Sequence, residues 1–216
     1  MTGSAPAPVS VPAPKAPWLL ARLTQGVIAL AAVADVFRAT ALREHRLHPA
    51  DDASLSRSGL TSMVFIYVMT AATVLFLVWF SRCRRTAQML SPGAAAGSGV
   101  WAVVAWFVPV VNLWAPRLLV LDVWHASSAV DTDGETAKRR NDVLVNAWWA
   151  AWVGHAVITA VAQLGAGTSL PLLVVSETLE LVAAVLAIYV IQRITAALRS
   201  AALQAGSPAG PLAQHV

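Results

Sequence analysis

Residues 99–128 read GVWAVVAWFVPVVNLWAPRLLVLDVWHASS, an apolar run that contains two prolines, an asparagine and four of the chain's nine tryptophans. An α-helix in lipid satisfies its backbone polar groups internally, but Pro109 and Pro116 each lack an N–H donor. We therefore predict two short helices, at residues 101–108 and 116–126, joined by a turn. This Trp-rich hairpin interrupts an otherwise ordinary series of apolar segments.

The composition is that of an integral membrane protein. Hydrophobic residues make up 57% of the chain and charged residues only 12%, and the mean hydropathy is +0.64, well above that of a soluble domain. The single cysteine, Cys83, excludes an intramolecular disulfide, and no Cys/His spacing is typical of zinc, so we expect neither a metal nor a cofactor. The net charge of +4 comes from basic residues beside apolar segments, which indicates topology and not nucleic-acid binding.

Four apolar segments are long enough to cross a bilayer core of about 30 Å as helices. They are residues 18–41, 60–80, 143–163 and 172–196. We therefore predict an all-α integral membrane protein with four transmembrane helices plus a Trp/Pro-rich hairpin that is re-entrant or interfacial. If the hairpin crosses the membrane completely, the protein has five transmembrane helices.

Polar or Pro/Ala-rich segments surround these spans. Residues 1–17 and 199–216 have too little apolar character to form a core, so we expect disordered tails on either side of a helical membrane domain at residues 18–198. Residues 42–59 and 131–142 are charged, and we predict that both are water-facing loops.

The distribution of basic residues predicts the topology. A cytoplasmic N-terminus with a non-crossing hairpin leaves eleven of the 15 Lys and Arg residues in the cytoplasm, whereas the five-helix alternative leaves ten there and has its N-terminus outside. The alternative also translocates the basic cluster at residues 82–85 directly behind its span. We therefore favour the cell membrane with both termini in the cytoplasm.

Four segments carry a family resemblance: FSRCRRTAQ at residues 80–88, WFVPVVNLWAP at 106–116, NAWWAAW at 146–152 and VIQRIT at 190–195. In this order they resemble the bacterial multi-pass membrane family catalogued as domain of unknown function 4328. The resemblance extends over roughly residues 63–195 and departs from the family at Ser81, where an aromatic residue is common, and at Ala115, where a basic one is. It implies a multi-pass membrane fold and no established activity.

The hairpin motif has two interpretations. It consists of Trp106, Pro109, Asn112, Trp114 and Pro116. Broken helices expose backbone N–H and C=O groups and tryptophan faces attract cations, so the motif is suited to a ligand or a lipid headgroup. Alternatively, the tryptophans anchor the hairpin at the interface and Asn112 caps the second short helix.

A second candidate site lies inside the spans. At about 1.5 Å per residue, Asp35, His155, Glu177 and Glu180 reach similar depths of roughly 9 to 14 Å from the outer surface. Ionisable groups at that depth are costly, so we expect them to face the bundle interior and to find partners there. Such a set is suited to relaying protons or holding a metal ion, or to fixing helix rotation through hydrogen bonds.

A third candidate is the basic cluster at the end of the second span. Arg82, Arg84 and Arg85 are suited to anionic lipid headgroups, at about 1 kcal/mol per basic residue near the surface. Topology alone also explains such a cluster.

The sequence contains no catalytic signature, so we expect a non-enzymatic protein. Small residues at 29–34 and 183–187 suit close helix packing, which favours an envelope scaffold or accessory protein whose partners are the bilayer and a second copy or another membrane protein. The alternative is a small transporter, or a proton or ion conductor, that uses the buried His/carboxylate set.

The hairpin topology predicts a labelling pattern. In a Cys83→Ser background, single cysteines at Ser98 and Ser128 are both expected to react with an impermeant thiol reagent only after the membrane is opened, because the hairpin returns to the side from which it enters. Labelling of the two positions from opposite sides of intact membranes would instead demonstrate a complete crossing.

Overall fold

The computed structural model describes residues 16–91, 99–108, 110–128, 135–166 and 169–206. No strand occurs among these residues, and the elements are six α-helices and two short irregular turns. In chain order they are α1 (Trp18–Leu47), α2 (Asp52–Leu90), α3 (Gly99–Val104), a 3-10 turn (Val111–Leu113), α4 (Ala115–Ser128), α5 (Glu135–Val161), a π-turn (Ala162–Ala166) and α6 (Leu170–Gly206).

Four of these helices are long and apolar enough to cross a membrane. They contain the segments Trp18–Leu47, Asp52–Leu90, Lys138–Leu164 and Pro171–Ala205. Leu23, Leu30 and Phe37 of α1 are more than half exposed, as expected for side chains that face lipid tails. The predicted all-α membrane fold with four transmembrane helices is confirmed.

The first predicted loop is much shorter than expected. Helix α1 continues to Leu47 and α2 begins at Asp52, so only residues 48–51 connect them. The Asp51 carboxylate caps α2 by accepting hydrogen bonds from the backbone N–H groups of Ala53 at 3.2 Å and Ser54 at 3.1 Å. Charge marks where a helix leaves the apolar core and not where the helix ends, so the prediction of a loop at residues 42–59 was wrong.

Helices α5 and α6 also extend beyond the apolar segments into charged or polar sequence. Helix α5 begins at Glu135, inside the hydrophilic loop predicted at residues 131–142, and α6 continues to Gly206, inside the tail predicted to be disordered. The remaining parts of these predictions, residues 131–134, 1–15 and 207–216, lie outside the described residues.

The long helices pack in the spatial order α2, α1, α6, α5. We call the half of the bundle where α1 begins and α6 ends the proximal half, and the opposite half the distal half. The proximal half is densely filled: Trp79, Phe80, Ile191 and Ile194 are fully buried. The indole N–H of Trp79 donates to Thr195 Oγ1 at 3.1 Å, which joins α2 to α6 there.

Candidate functional site

The Trp-rich hairpin is a broken helical element, and neither of its two helices is long enough to span the bilayer core alone. Helix α3 has 6 residues and α4 has 14, so even α4 extends only about 21 Å, less than the apolar core. Helix α4 packs against α2, α5 and α6. Pro116 is fully buried in its first turn, where a missing N–H costs nothing.

Trp106 closes the space between α2 and α5. Its ring centroid lies 5.1 Å from that of Phe76 and 6.1 Å from that of Phe80, both on α2. On the α5 side it lies 6.5 Å from Trp148 and 6.0 Å from Trp149. The two helices thus meet mainly through one cluster of aromatic rings at the centre of the bundle.

The other residues of the hairpin motif have different environments. The Asn112 side-chain oxygen is buried without a hydrogen-bond partner, so the expectation that Asn112 caps the second short helix was wrong. Instead, the indole N–H of Trp149 donates to the Leu113 carbonyl at 3.0 Å and satisfies a backbone acceptor of the turn. Trp114 is about half exposed, and Pro109 lies outside the described residues.

Asp35 and Glu177, two of the four predicted ionisable residues, meet in the distal half at Arg38, which the sequence analysis counted only among the basic residues that indicate topology. The Arg38 guanidinium donates to Asp35 Oδ1 through Nε at 2.8 Å and Nη2 at 2.5 Å, and Nη2 also donates to Glu177 Oε1 at 3.0 Å. Asp35 is only 1% exposed. The Arg38 guanidinium carbon lies 4.7 Å above the Phe65 ring of α2, so this one side chain contacts three helices. The i, i+3 spacing from Asp35 was the available signal.

The remaining part of the set joins α5 to α6. His155 Nε2 lies 3.2 Å from Glu180 Oε2, and Nδ1 lies 3.0 Å from the Ser176 carbonyl and 3.1 Å from Ser176 Oγ. Protonated His155 donates to both the carbonyl and the carboxylate, and neutral His155 accepts from the Ser176 hydroxyl. The geometry therefore satisfies the imidazole in either protonation state. We call Asp35, Arg38, His155, Glu177 and Glu180 the distal cluster.

The distal cluster has unused acceptor atoms. Asp35 Oδ2 and Glu177 Oε2 are both buried without a hydrogen-bond partner. Buried acceptors of this kind are costly unless a donor reaches them, so the cluster has capacity for an additional proton. Within the described residues, no three His, Cys, Asp or Glu side chains are grouped to hold a metal ion.

A cavity of about 130 Å³ separates the distal cluster from the aromatic rings. Its walls come from α1, α2, α5 and α6, with Glu180 at the distal end and Phe76, Trp106 and Trp148 at the proximal end. Alanines of α1, α2 and α6 form much of the remaining wall. Glu180 therefore belongs both to the cluster, through His155, and to the cavity.

The basic cluster at the end of α2 is divided between two environments. Arg82 and Arg85 are exposed, as a contact with lipid headgroups requires. Arg84 is only 3% exposed and points into the bundle, so it does not fit the predicted headgroup role. Consecutive arginines on a helix lie about 100° apart, so they cannot all face outward.

These features define a class of protein: a helical integral membrane protein with a broken hairpin and a polar cluster beside an intramembrane cavity. A family described as a domain of unknown function (DUF4328) matches residues 43–196, and the chain belongs to this family. Neither the curated proteins nor the solved structures that were compared include a match to this chain.

The Arg38 contacts predict a large difference between two arginine variants. Arg38→Leu leaves the buried Asp35 without its cation and is expected to lower the free energy of unfolding by about 3–5 kcal/mol. Arg57→Leu, the matched control, removes only the exposed pair with Glu44 and is expected to cost about 0–1 kcal/mol.

The measurement is equilibrium unfolding in mixed micelles. Adding Asp35→Asn to Arg38→Leu is expected to recover part of the loss, because the buried negative charge is removed as well. Equal costs for the two arginine variants would contradict the assigned role of Arg38.

Proposed function

We propose that this protein is a non-enzymatic carrier of protons or small cations in the cell membrane, with both termini in the cytoplasm. The observation that carries the proposal is the position of Glu180, which lines the central cavity and contacts His155 of the distal cluster. A carboxyl group in a membrane interior is costly and typically marks a pathway for ions or protons.

A polar route connects Glu180 toward the distal surface. Thr159 is exposed, and its hydroxyl lies 3.4 Å from both His155 Nε2 and Ser176 Oγ. His155 in turn contacts Glu180. Because the imidazole is satisfied in both protonation states, a proton can reach Glu180 by way of His155 without leaving a buried group unpaired.

The proximal side of the cavity is closed. The rings of Phe76, Trp106 and Trp148 lie within 6.5 Å of one another at its end, and Trp79 and Ile191 are fully buried beyond them. This arrangement opposes a continuous pore and favours alternating access, in which the aromatic layer rearranges. The short hairpin that holds Trp106 is suited to move, because a broken helix is not continuous across the membrane.

The small residues of α1 and α6, which favoured the scaffold hypothesis, have another explanation. Ala31 and Ala34 of α1 and Ala183 and Ala187 of α6 are buried inside the bundle, and three of the four line the cavity. The small residues therefore serve internal packing and the cavity, which weakens the argument for self-association. The bilayer is the expected partner, with anionic headgroups at Arg82 and Arg85.

The carrier hypothesis predicts a Glu180-dependent flux. In proteoliposomes with an imposed inside-negative potential, the wild type is expected to acidify the lumen faster than empty liposomes, and Glu180→Gln is expected to reduce the rate to background. A dye trapped in the lumen reports the pH.

Glu44→Gln is the matched control, since it neutralises the same type of residue in the exposed pair with Arg57, and it is expected to retain the wild-type rate. The carrier hypothesis fails if the wild type gives no flux above empty liposomes, or if both variants retain the full rate.

A further inference from the structure

We propose that the central cavity binds a small organic ammonium ion, with Glu180 as its counter-charge. This inference rests on the proposed function in one respect, because it takes Glu180 as the group that binds the transported species. It adds the chemical class of the ligand, and it follows from the acidic group, the aromatic walls and the size of the cavity.

The charge of the site favours a cation. The distal cluster has three carboxyl groups, Asp35, Glu177 and Glu180, against one guanidinium and one imidazole. Arg38 is engaged by Asp35, Glu177 and the Phe65 ring and does not line the cavity. His155 is therefore the contact that Glu180 makes within the cluster, and a cation in the cavity would be a second partner for the Glu180 carboxyl group.

The cavity walls favour an organic cation over a hydrated metal ion. Phe76, Trp106, Trp148 and Trp152 contribute four aromatic rings to the lining. The electron-rich faces of such rings attract alkylammonium groups, and several rings around one site form the aromatic cage that recognises quaternary ammonium ions. The same walls offer few oxygen ligands to a hard metal ion.

The size of the cavity limits the ligand. A volume of about 130 Å³ is similar to that of apolar cavities that hold one benzene molecule, about 150 Å³. The space exists because Ala72, Ala183 and Ala187 stand where larger side chains would fill it. A trimethylammonium group with a short substituent is of this size.

Choline, a trimethylammonium ion with a short hydroxyethyl substituent, is a suitable probe for this class of ligand.

The test compares choline with its neutral isostere 3,3-dimethyl-1-butanol, in which carbon replaces the charged nitrogen. Saturation-transfer NMR titrations of the purified full-length wild type in detergent are expected to show choline binding at least about tenfold more tightly than the isostere. Equal affinities, or no binding of either compound, would overturn the proposal. This comparison needs no mutant and does not depend on the folding of a variant.

Variants then assign the site. Glu180→Gln is expected to weaken choline binding about tenfold or more and to leave the isostere unaffected, whereas Glu44→Gln changes neither. Choline binding that survives Glu180→Gln unchanged would overturn the proposal.

The outcomes separate this inference from the carrier hypothesis. Glu180-dependent proton flux without choline binding would overturn the inference and leave the carrier intact. Glu180-dependent choline binding in a protein that gives no flux would support the inference and remove the carrier hypothesis, leaving a membrane receptor for the cation.

Discussion

The guanidinium of Arg38 is the contact on which the distal half of the protein depends. It neutralises Asp35, a carboxylate that is almost fully buried, and it reaches Glu177 across the interface between α1 and α6. Without this cation, two carboxylates would face each other in a medium that solvates neither of them. Because Arg38 is committed to these two acids and to Phe65, Glu180 is left to His155 and to the cavity. The division of charges between the two pairs creates the candidate site.

In the proximal half, the structure depends on how the Trp-rich hairpin is packed. The Trp-rich hairpin cannot satisfy its backbone as a continuous helix would, and it has to be packed against protein. Trp106 is inserted between α2 and α5, and Trp149 supplies the donor for the Leu113 carbonyl. The aromatic layer that results closes one end of the cavity, while alanines keep the middle open. The cavity therefore has polar residues at its distal end and a layer of aromatic rings at its proximal end.

The sequence predicted those features of the fold that depend on one property of one segment, such as its hydropathy or its prolines. Hydropathy located the four spans, and the two prolines located the broken hairpin. Depth along the helices grouped Asp35, His155, Glu177 and Glu180, and the structure joins Asp35 to Glu177 through Arg38 and pairs His155 with Glu180. It did not reveal which side chains contact one another, because contact depends on the rotation of each helix, which hydropathy does not specify. Arg38 was missed for that reason.

Other features depend on several helices at once. The cavity requires small residues of α1, α2 and α6 to meet at one level, and no single segment of sequence encodes that. The burial of Arg84 likewise depends on how α2 is rotated within the bundle. Helix ends were also misjudged, since α1, α5 and α6 continue as helices beyond the apolar core. Charge predicts the water boundary, and capping groups such as Asp51 determine the end of a helix.

The contact between Arg38 and Glu177 can be measured directly in lipid bilayers by solid-state NMR, with ¹⁵N-labelled arginine and ¹³C-labelled glutamate. An Arg57→Leu background removes the exposed contact of Arg57 with Glu44, and comparison with Glu177→Gln in the same background identifies the coupling that comes from the buried pair. The structure predicts a strong dipolar coupling between an arginine Nη and a glutamate carboxyl carbon, from a hydrogen bond of 3.0 Å, and its loss in Glu177→Gln. A bilayer sample without this coupling, or one in which it survives Glu177→Gln, would contradict the assigned role of Arg38.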